Sequence, residues 1–244
     1  MSTVDLVFNK DKESSKILDI LDEIIKESPI SNLVCLKGAY RLNQLLEERG
    51  ISKSIVERVT HDLDFDAKEL VVYDYFEEVI PKELERRGYS LTKKVRRFDE
   101  NGTFTLKMVI HLKEDIILKI DSNLRDFNEA PADILNMLSD KIYVLSNRYV
   151  LRRSKDIYDT FIYLKYINPD YLNYNVTKLI NNLSVNNKEL GDFKYFKTEE
   201  GVKDILHAMH KYKPNPVKNY SVEEIFVFVQ EQVLFIDKIN KGVV

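Results

Sequence analysis

The chain has 244 residues, enough for one large domain or for a core with an appended subdomain. Hydrophobic residues make up 44% and charged residues 32% of the chain, a composition typical of a soluble globular protein and too apolar for a disordered one. The formal net charge of −3 excludes a strongly basic protein, and the single Cys35 excludes an intramolecular disulfide.

The N-terminal part combines a helix with a strand–glycine–helix unit. Apolar residues at helical spacing predict a helix over residues 12–27. A short buried strand over 32–37 then leads to Gly38 and to a helix over 39–48. A glycine at such a junction lets the backbone pass close to a ligand and exposes N–H groups at the helix start. Lys37 and Gly38 are therefore candidates for binding phosphate, and a simple turn is the alternative interpretation.

An acidic strand is predicted over residues 58–66. Successive strand side chains point to opposite faces, so one face is expected to carry Arg58, Thr60, Asp62, Asp64 and Asp66. Carboxylates aligned in this way repel one another unless a positive charge lies among them. A hard divalent cation, Mg²⁺ or Mn²⁺, shared with substrate phosphates would supply that charge. For an isolated Asp-x-Asp, the alternative is a solvated edge strand.

The middle of the chain is predicted to contain one more helix and three strands. The helix covers residues 71–87, and Pro81 is expected to kink it or to break it in two. Strands over 90–98 and 103–112 are expected to form a hairpin, because Asn101-Gly102 is a strong turn signal. The third strand covers 116–121 and is expected to end in a carboxylate.

That carboxylate is Asp121, a candidate third metal ligand. If its strand pairs beside the acidic strand, Asp121 can join Asp62 and Asp64 around the same metals. Two metals held in this way stabilise both the attacking and the leaving oxygen of an in-line displacement. The alternative role for Asp121 is a cap at the end of its strand.

The remainder of the chain is predicted to be helical, over residues 132–147, 154–165, 176–183, 199–212 and 222–240. The fold class is therefore α+β, a small mixed sheet flanked by helices with an all-helical C-terminal portion. We expect a core over residues 1–167 and a helical subdomain over 168–244. Since no apolar signal segment and no membrane-length apolar run is apparent, a cytoplasmic protein without membrane contact is expected.

Two of these helices carry further candidate site residues. Lys141 borders the apolar stripe of its helix, so its ammonium group could point into a cleft and hold a triphosphate as a point charge. It could equally extend from the core into solvent. Asp156 and Asp159 lie three residues apart on one helical face and could orient Lys141 or an arginine through charge-assisted hydrogen bonds. Ser154 with acid early in this helix also fits a purely structural N-terminal cap.

Five elements, in their order along the chain, resemble the AbiEii/AbiGii-type toxin nucleotidyltransferases, a branch of the DNA polymerase β-like nucleotidyltransferase superfamily. These elements are the glycine turn, the acidic strand, Asp121, the helix with Lys141, and the helix with Asp156 and Asp159. The resemblance spans about Leu33 to Leu164. The matching segments are Leu36-Lys-Gly-Ala-Tyr40, Arg58-x-Thr60-x-Asp62-Leu-Asp64, Lys141, and Arg153-x-Lys155-Asp156-x-x-Asp159. The family has a second glycine and a small hydroxyl residue where this chain has Ala39 and Tyr40. The Tyr40 ring could fill part of the nucleotide pocket or stack on a base.

The resemblance implies a minimal nucleotidyltransferase core that transfers a nucleotidyl group from an NTP, with Mg²⁺, to an acceptor hydroxyl such as that of tRNA or another RNA. It also implies the toxin of a toxin–antitoxin or phage-defence system, with a cognate antitoxin protein as a partner. The expected metal ligands are Asp62, Asp64 and Asp121, and Lys141 and Asp156 complete the catalytic set. The expected nucleotide-binding residues are Lys37, Gly38, Arg58, Thr60, Lys141 and Asp159.

Two alternatives to that function stay open at the level of sequence. A catalytically degenerate relative would bind a nucleotide or a protein partner without turnover. An active enzyme could instead modify a small molecule or a protein side chain. Basic segments at 82–97 and 148–155 favour an RNA acceptor, although such segments are more commonly solvated helix and hairpin surface.

Overall fold

The computed structural model describes residues 3–100, 103–112, 116–125, 134–147, 154–169, 171–185, 188–212 and 215–243. The chain divides into two compact units. The first, which we call the sheet unit, comprises Met1–Arg41 and Val59–Ala132. The second, the helical unit, comprises Leu42–Arg58 and Asp133–Val244. The domain boundary expected at residue 167 stays a prediction. In the structure, helices on both sides of residue 167 belong to the helical unit.

The sheet unit is built on a five-stranded mixed sheet with the strand order β1-β2-β5-β4-β3. Its strands are β1 (Val34–Lys37), β2 (Asp62–Ala67), β3 (Leu91–Glu100), β4 (Thr103–Leu112) and β5 (Ile117–Leu124). The pair β2–β5 is parallel, and the other three pairs are antiparallel. The helices of this unit are α1 (Thr3–Lys26) and α3 (Val71–Arg86), and α2 (Gly38–Glu48) carries the chain into the helical unit.

The helical unit contains α4 (Ile134–Ser146), α5 (Ser154–Ile162), a π-helical turn at Tyr163–Ile167, α6 (Tyr171–Val185), α7 (Lys194–Lys197), α8 (Glu199–Lys211) and α9 (Val222–Asn240). Local sequence sets some of these bounds. Ser221 and Glu224 form a reciprocal capping box that starts α9. Thr198 caps α8 by accepting a hydrogen bond from the backbone N–H of Gly201.

The two faces of the sheet differ in polarity, and this difference positions the site. On one face, apolar side chains such as Leu63 and Ile120 are fully buried in the same core as residues of α1 and α3. The rings of Phe65 in β2 and Phe76 in α3 stack with centroids 4.4 Å apart. Because strand side chains alternate, the acids of β2 must project from the opposite, polar face.

The predicted fold class is confirmed, while several element bounds were wrong. Helix α1 begins at Thr3, not at residue 12, because a helix once nucleated propagates through residues without a strong apolar period. Strand β1 is shorter than predicted, since Ser31–Leu33 form a 3-10 turn. Pro81 does not break α3, whose buried positions continue on both sides of it.

Two of these differences bear on the candidate site. Strand β2 begins at Asp62, where its register with β5 begins, so Arg58 and Thr60 are not strand residues and do not share its polar face by alternation. Strand β5 continues to Leu124, so Asp121 lies within the strand and does not cap its end. The expected pairing of β5 beside β2 is observed.

Among the C-terminal helices, α5 gives way to the π-helical turn three residues before its predicted end, α6 is longer than predicted, and α7 is additional. The Asn101-Gly102 turn, Arg153 and most of the basic segment 148–155 lie outside the described residues. Across the part of the chain that is described, none of the helices combines the length and the apolar character that crossing a membrane requires.

Candidate active site

The acids of β2 and β5 meet on the polar face of the sheet. Asp64 stands directly opposite Asp121 in the parallel pair, and Asp62 stands opposite Lys119. Neighbouring strands lie about 4.8 Å apart, so the backbones that carry the Asp64 and Asp121 carboxylates are separated by about that distance. Both residues are only partly buried and thus accessible from the polar face. Two like charges at this spacing favour a cation that they can share.

The start of α2 rests against this acidic pair. Gly38 has φ of +71°, in the left-handed region that favours glycine. A Cβ added to Gly38 would lie 2.2 Å from Oδ2 of Asp64, which is closer than non-bonded atoms can approach. Gly38 therefore makes room for the Asp64 carboxylate at the N-terminal end of an 11-residue helix. Backbone N–H groups at such a helix start also attract phosphate.

Lys37, the last residue of β1, lies opposite Asp64 in the sheet but directs its amine elsewhere. Its Nζ donates to Oδ1 of Asp66 at 2.5 Å, and Arg125 lies 3.7 Å from the other oxygen of the same carboxylate. Asp66 is buried, so this contact fixes the Lys37 side chain against the sheet. Alternation placed Asp66 on the polar face, but only the structure identifies it as the partner of Lys37.

Tyr40 packs against α1, although the sequence also permits its ring to fill part of a nucleotide pocket or to stack on a base. The residue is buried in the core of the sheet unit, and its hydroxyl donates to Asp19 of α1 at 3.0 Å. A second acceptor, Asp22, lies at 3.4 Å. The position of Tyr40 on α2 sets the direction of its side chain. Tyr40 lies on the face of the helix toward the core, whereas Gly38, two residues earlier, faces Asp64. The bulky ring is thus compatible with an open phosphate seat.

Thr60 lies two residues before the start of β2. Its hydroxyl oxygen accepts a hydrogen bond from the backbone N–H of Asp62 at 3.3 Å. This local turn leads the chain into β2 at the first of the acids. The predicted contact between Thr60 and the phosphates stays a prediction.

A buried ionic cluster forms within the helical unit. Lys141 of α4 donates to Asp156 at 2.6 Å and lies 2.9 Å from Asp159, both on α5. Arg58 lies 2.8 Å from the other oxygen of Asp159 and donates a second hydrogen bond to the Tyr212 hydroxyl at 2.8 Å. Two positive and two negative side chains therefore balance one another. The spacing of the two acids on α5 predicts that they could orient Lys141 or an arginine. In the structure, Asp159 binds both Lys141 and Arg58, and Asp156 binds Lys141.

The pKa values in this cluster follow from its charges. Burial by itself would lower the pKa of Lys141, but the charges of Asp159 and Asp156 outweigh burial and raise it above the usual value. Burial would likewise raise the pKa of Asp159, and the charges of Lys141 and Arg58 instead lower it. Lys141 and Asp159 are consequently ionised at neutral pH. Oδ2 of Asp156 is buried and has no hydrogen-bond partner among the described residues, which leaves one acceptor for a water or a ligand.

The structure therefore distributes the predicted site residues between the two units. The sheet unit brings together Lys37, Gly38, Thr60, Asp62, Asp64 and Asp121, and the helical unit brings together Arg58, Lys141, Asp156 and Asp159. Tyr212 is one of the partners that sequence reasoning missed. It lies 154 positions from Arg58, and no local pattern connects the two.

The donor set suits Mg²⁺ only with help from a substrate. Within the described ranges, no three or more His, Cys, Asp or Glu side chains are grouped so that they could hold a metal ion. The three-carboxylate set of Asp62, Asp64 and Asp121 is thus not preassembled. Mg²⁺, however, is commonly bound through one or two carboxylates, with substrate phosphates and waters as the other ligands. Asp64 and Asp121 fit that mode.

Comparison with known proteins supports the fold. No protein-family model matches the chain, and no curated protein matches it. Among solved structures, the chain is similar to a protein described as a "putative nucleotidyltransferase" from H. pylori, with a TM-score of 0.53 and 17% sequence identity. The similarity covers 100% of this chain and 99% of that one. The two proteins share an α+β fold over their whole length, although few residues are identical.

Proposed function

We propose that the chain is an Mg²⁺-dependent nucleotidyltransferase that moves a nucleotidyl group from an NTP to a hydroxyl of an RNA acceptor. The observation that carries this proposal is the meeting of Asp64, Asp121 and the start of α2 at one place on the polar face of the sheet. The fold shared with the H. pylori protein supports the same class of reaction. Mn²⁺ is expected to substitute for Mg²⁺, since both accept carboxylate oxygen ligands.

In the proposed reaction, the acceptor oxygen attacks the α-phosphorus of the NTP, the bond to the β-phosphate oxygen breaks, and pyrophosphate leaves. Backbone N–H groups at the start of α2 bind the nucleotide phosphates, beside the Gly38 turn. Asp64 and Asp121 would hold the metal together with the nucleotide phosphates. The metal would neutralise the triphosphate and stabilise the departing pyrophosphate. Asp121 also accepts the proton that the acceptor hydroxyl loses.

The biological role that we propose is that of a toxin in a toxin–antitoxin or phage-defence system, with tRNA as the first acceptor to test. The support for this role is the ordered set of sequence motifs that ends in Asp156 and Asp159. A cognate antitoxin protein would then be a partner. Induced expression of the wild-type chain should arrest growth, and expression of an Asp64→Asn variant should not.

A transfer assay tests the chemistry. The pure protein is incubated with labelled NTPs, Mg²⁺ and total tRNA, and label in RNA is measured. The proposal predicts RNA labelling that Asp64→Asn abolishes and that Asp204→Asn preserves, since Asp204 is exposed on α8. Labelling that survives Asp64→Asn unchanged would contradict the mechanism. Tight NTP binding without product would favour a nucleotide-binding module, and label in a small molecule or a protein would change the acceptor.

A further inference from the structure

Basic side chains continue the polar face of the sheet beyond its acids. The register across the strands forms two rows, one of Asp64, Asp121, Lys107 and Arg96 and one of Asp62, Lys119, Val109 and Lys94. Residues that pair directly across strands point to the same face. Four exposed basic residues therefore share a face with the acids: Lys94, Arg96, Lys107 and Lys119. We call these four residues the cationic face.

On the opposite face of the edge strand β3, two basic side chains have a structural role, because they bind α3. Lys93 and Arg97 of β3 alternate with the cationic face and point toward α3. Arg97 donates to Asp74 at 2.7 Å and also to Glu77, and Lys93 donates to the backbone carbonyl of Glu77. These two side chains bind strand to helix. By alternation, the cations of the cationic face project from the side of the sheet opposite α3, and all four are exposed.

We propose that the cationic face binds the phosphate backbone of the RNA acceptor and leads its reacting end to Asp64 and Asp121. This inference rests on the proposed function and specifies where that function places its acceptor. From Asp121 to Arg96 the row crosses two strand spacings, about 10 Å. A small acceptor reacting at Asp121 would not reach that far, whereas a polyanionic chain would, so the extent of the face favours RNA.

The charge order along the rows supports this direction. The acids lie on β2 and β5, where the metal and the triphosphate would bind, and the cations lie on β5, β4 and the edge strand β3. Acids alone would repel an incoming polyanion, and adjacent cations offset that repulsion. Lys107 also lies over the ring of Phe98 at 5.2 Å, which keeps its ammonium group on this face.

The test measures RNA binding without any turnover. A fluorescein-labelled single-stranded RNA is titrated with the full-length protein in Mg²⁺ and without NTP, and fluorescence anisotropy is followed at several salt concentrations. The test variant is Lys94→Gln/Arg96→Gln. The matched control is Lys93→Gln/Arg97→Gln, which removes the same charge from the same strand on the opposite face. Circular dichroism confirms that each variant is folded.

Each phosphate contact to single-stranded RNA contributes about 0.7 to the slope of log K against log salt. The test variant should therefore lose about 1.4 of that slope and bind about 25-fold more weakly at 0.1 M salt, while the control stays within about twofold of the wild type. Equal losses in both variants, no loss in the test variant, or no RNA binding by the wild type would each overturn the inference. Failure of the proposed function is seen separately, as absence of label in the transfer assay while RNA binding is retained.

Discussion

Replacing Gly38 by alanine probes the contact between the start of α2 and the acidic pair. The substitution has two separable effects. A residue with a Cβ at φ of +71° is strained by about 1–2 kcal/mol. The new Cβ would also lie 2.2 Å from Oδ2 of Asp64, so the carboxylate must move away. Gly50 provides the matched control, because its φ is +69° and an added Cβ would meet no atom within 4 Å.

The size of the displacement follows from the contact distance. Non-bonded heavy atoms settle at about 3.5 Å or slightly less, so Asp64 must shift by on the order of 1 Å. A misplacement of that size in a reacting constellation costs about 100-fold in rate. The strain common to Gly38→Ala and Gly50→Ala should lower the melting temperature of both by about 2–8 °C for a chain of this length.

The assay compares both variants by thermal unfolding and by nucleotidyl transfer. We expect similar melting temperatures, a transfer rate reduced by about 100-fold in Gly38→Ala, and a rate close to the wild type in Gly50→Ala. If Gly38→Ala transferred nucleotides within threefold of Gly50→Ala, the contact with Asp64 would not control the chemistry, and the reasoning would be refuted.

The other predictions concern burial and charge. Lys141→Met should lower the free energy of unfolding by about 3–5 kcal/mol in urea titrations, because Asp156 and Asp159 would lose a buried partner; a loss below about 1 kcal/mol would contradict this. The pKa of Asp159 is lower in the folded protein than in the unfolded chain, so its ionised carboxylate stabilises the fold. This stabilisation is complete at pH values above the unfolded-state pKa of about 4, and it is lost as the pH falls through the lower native pKa. Melting temperatures of the wild type should consequently fall more steeply than those of Asp159→Asn as pH is lowered from about 4. Tyr40→Phe should lower the free energy of unfolding by about 1 kcal/mol, because the hydrogen bond to Asp19 is lost, and should leave the transfer rate unchanged. A loss of transfer rate above tenfold would indicate that Tyr40 contacts the nucleotide.

The sequence predicted the directions of side chains well where its signal was local. Alternation within residues 62–66 placed the acids on one face, because a strand with one buried face fixes the direction of every side chain. Spacing of three on a helix brought Asp156 and Asp159 together toward Lys141. The glycine between β1 and α2 predicted a close approach of the backbone to a ligand, and in the structure it makes room for the Asp64 carboxylate. Phosphate binding at this turn stays a prediction.

Long-range partners were not predictable from the sequence. In the sequence, the alternation of the acidic strand extends back to Arg58, yet β2 begins only at Asp62, where its pairing with β5 begins. Arg58 instead finds Asp159, 101 positions away, and Tyr212. Nothing in a single sequence states such a pairing.

Burial on a helix explains the position of Tyr40. The resemblance aligns Tyr40 with a family position that receives phosphate, so its ring could fill part of the nucleotide pocket or stack on a base. The face that it occupies on α2 instead directs it into the core, with Asp19 as its partner. Family likeness predicted the position of the turn, whereas side-chain direction depended on the packing of α1, which the motif does not contain.

Metal binding at the paired acids tests the central proposal most directly. Mn²⁺ binding can be followed by electron paramagnetic resonance in the presence of a non-hydrolysable NTP analogue. The account predicts that Asp64→Asn and Asp121→Asn each weaken Mn²⁺ binding by at least about tenfold, while Asp204→Asn binds like the wild type. Equal Mn²⁺ affinity in the wild type and both site variants would contradict it.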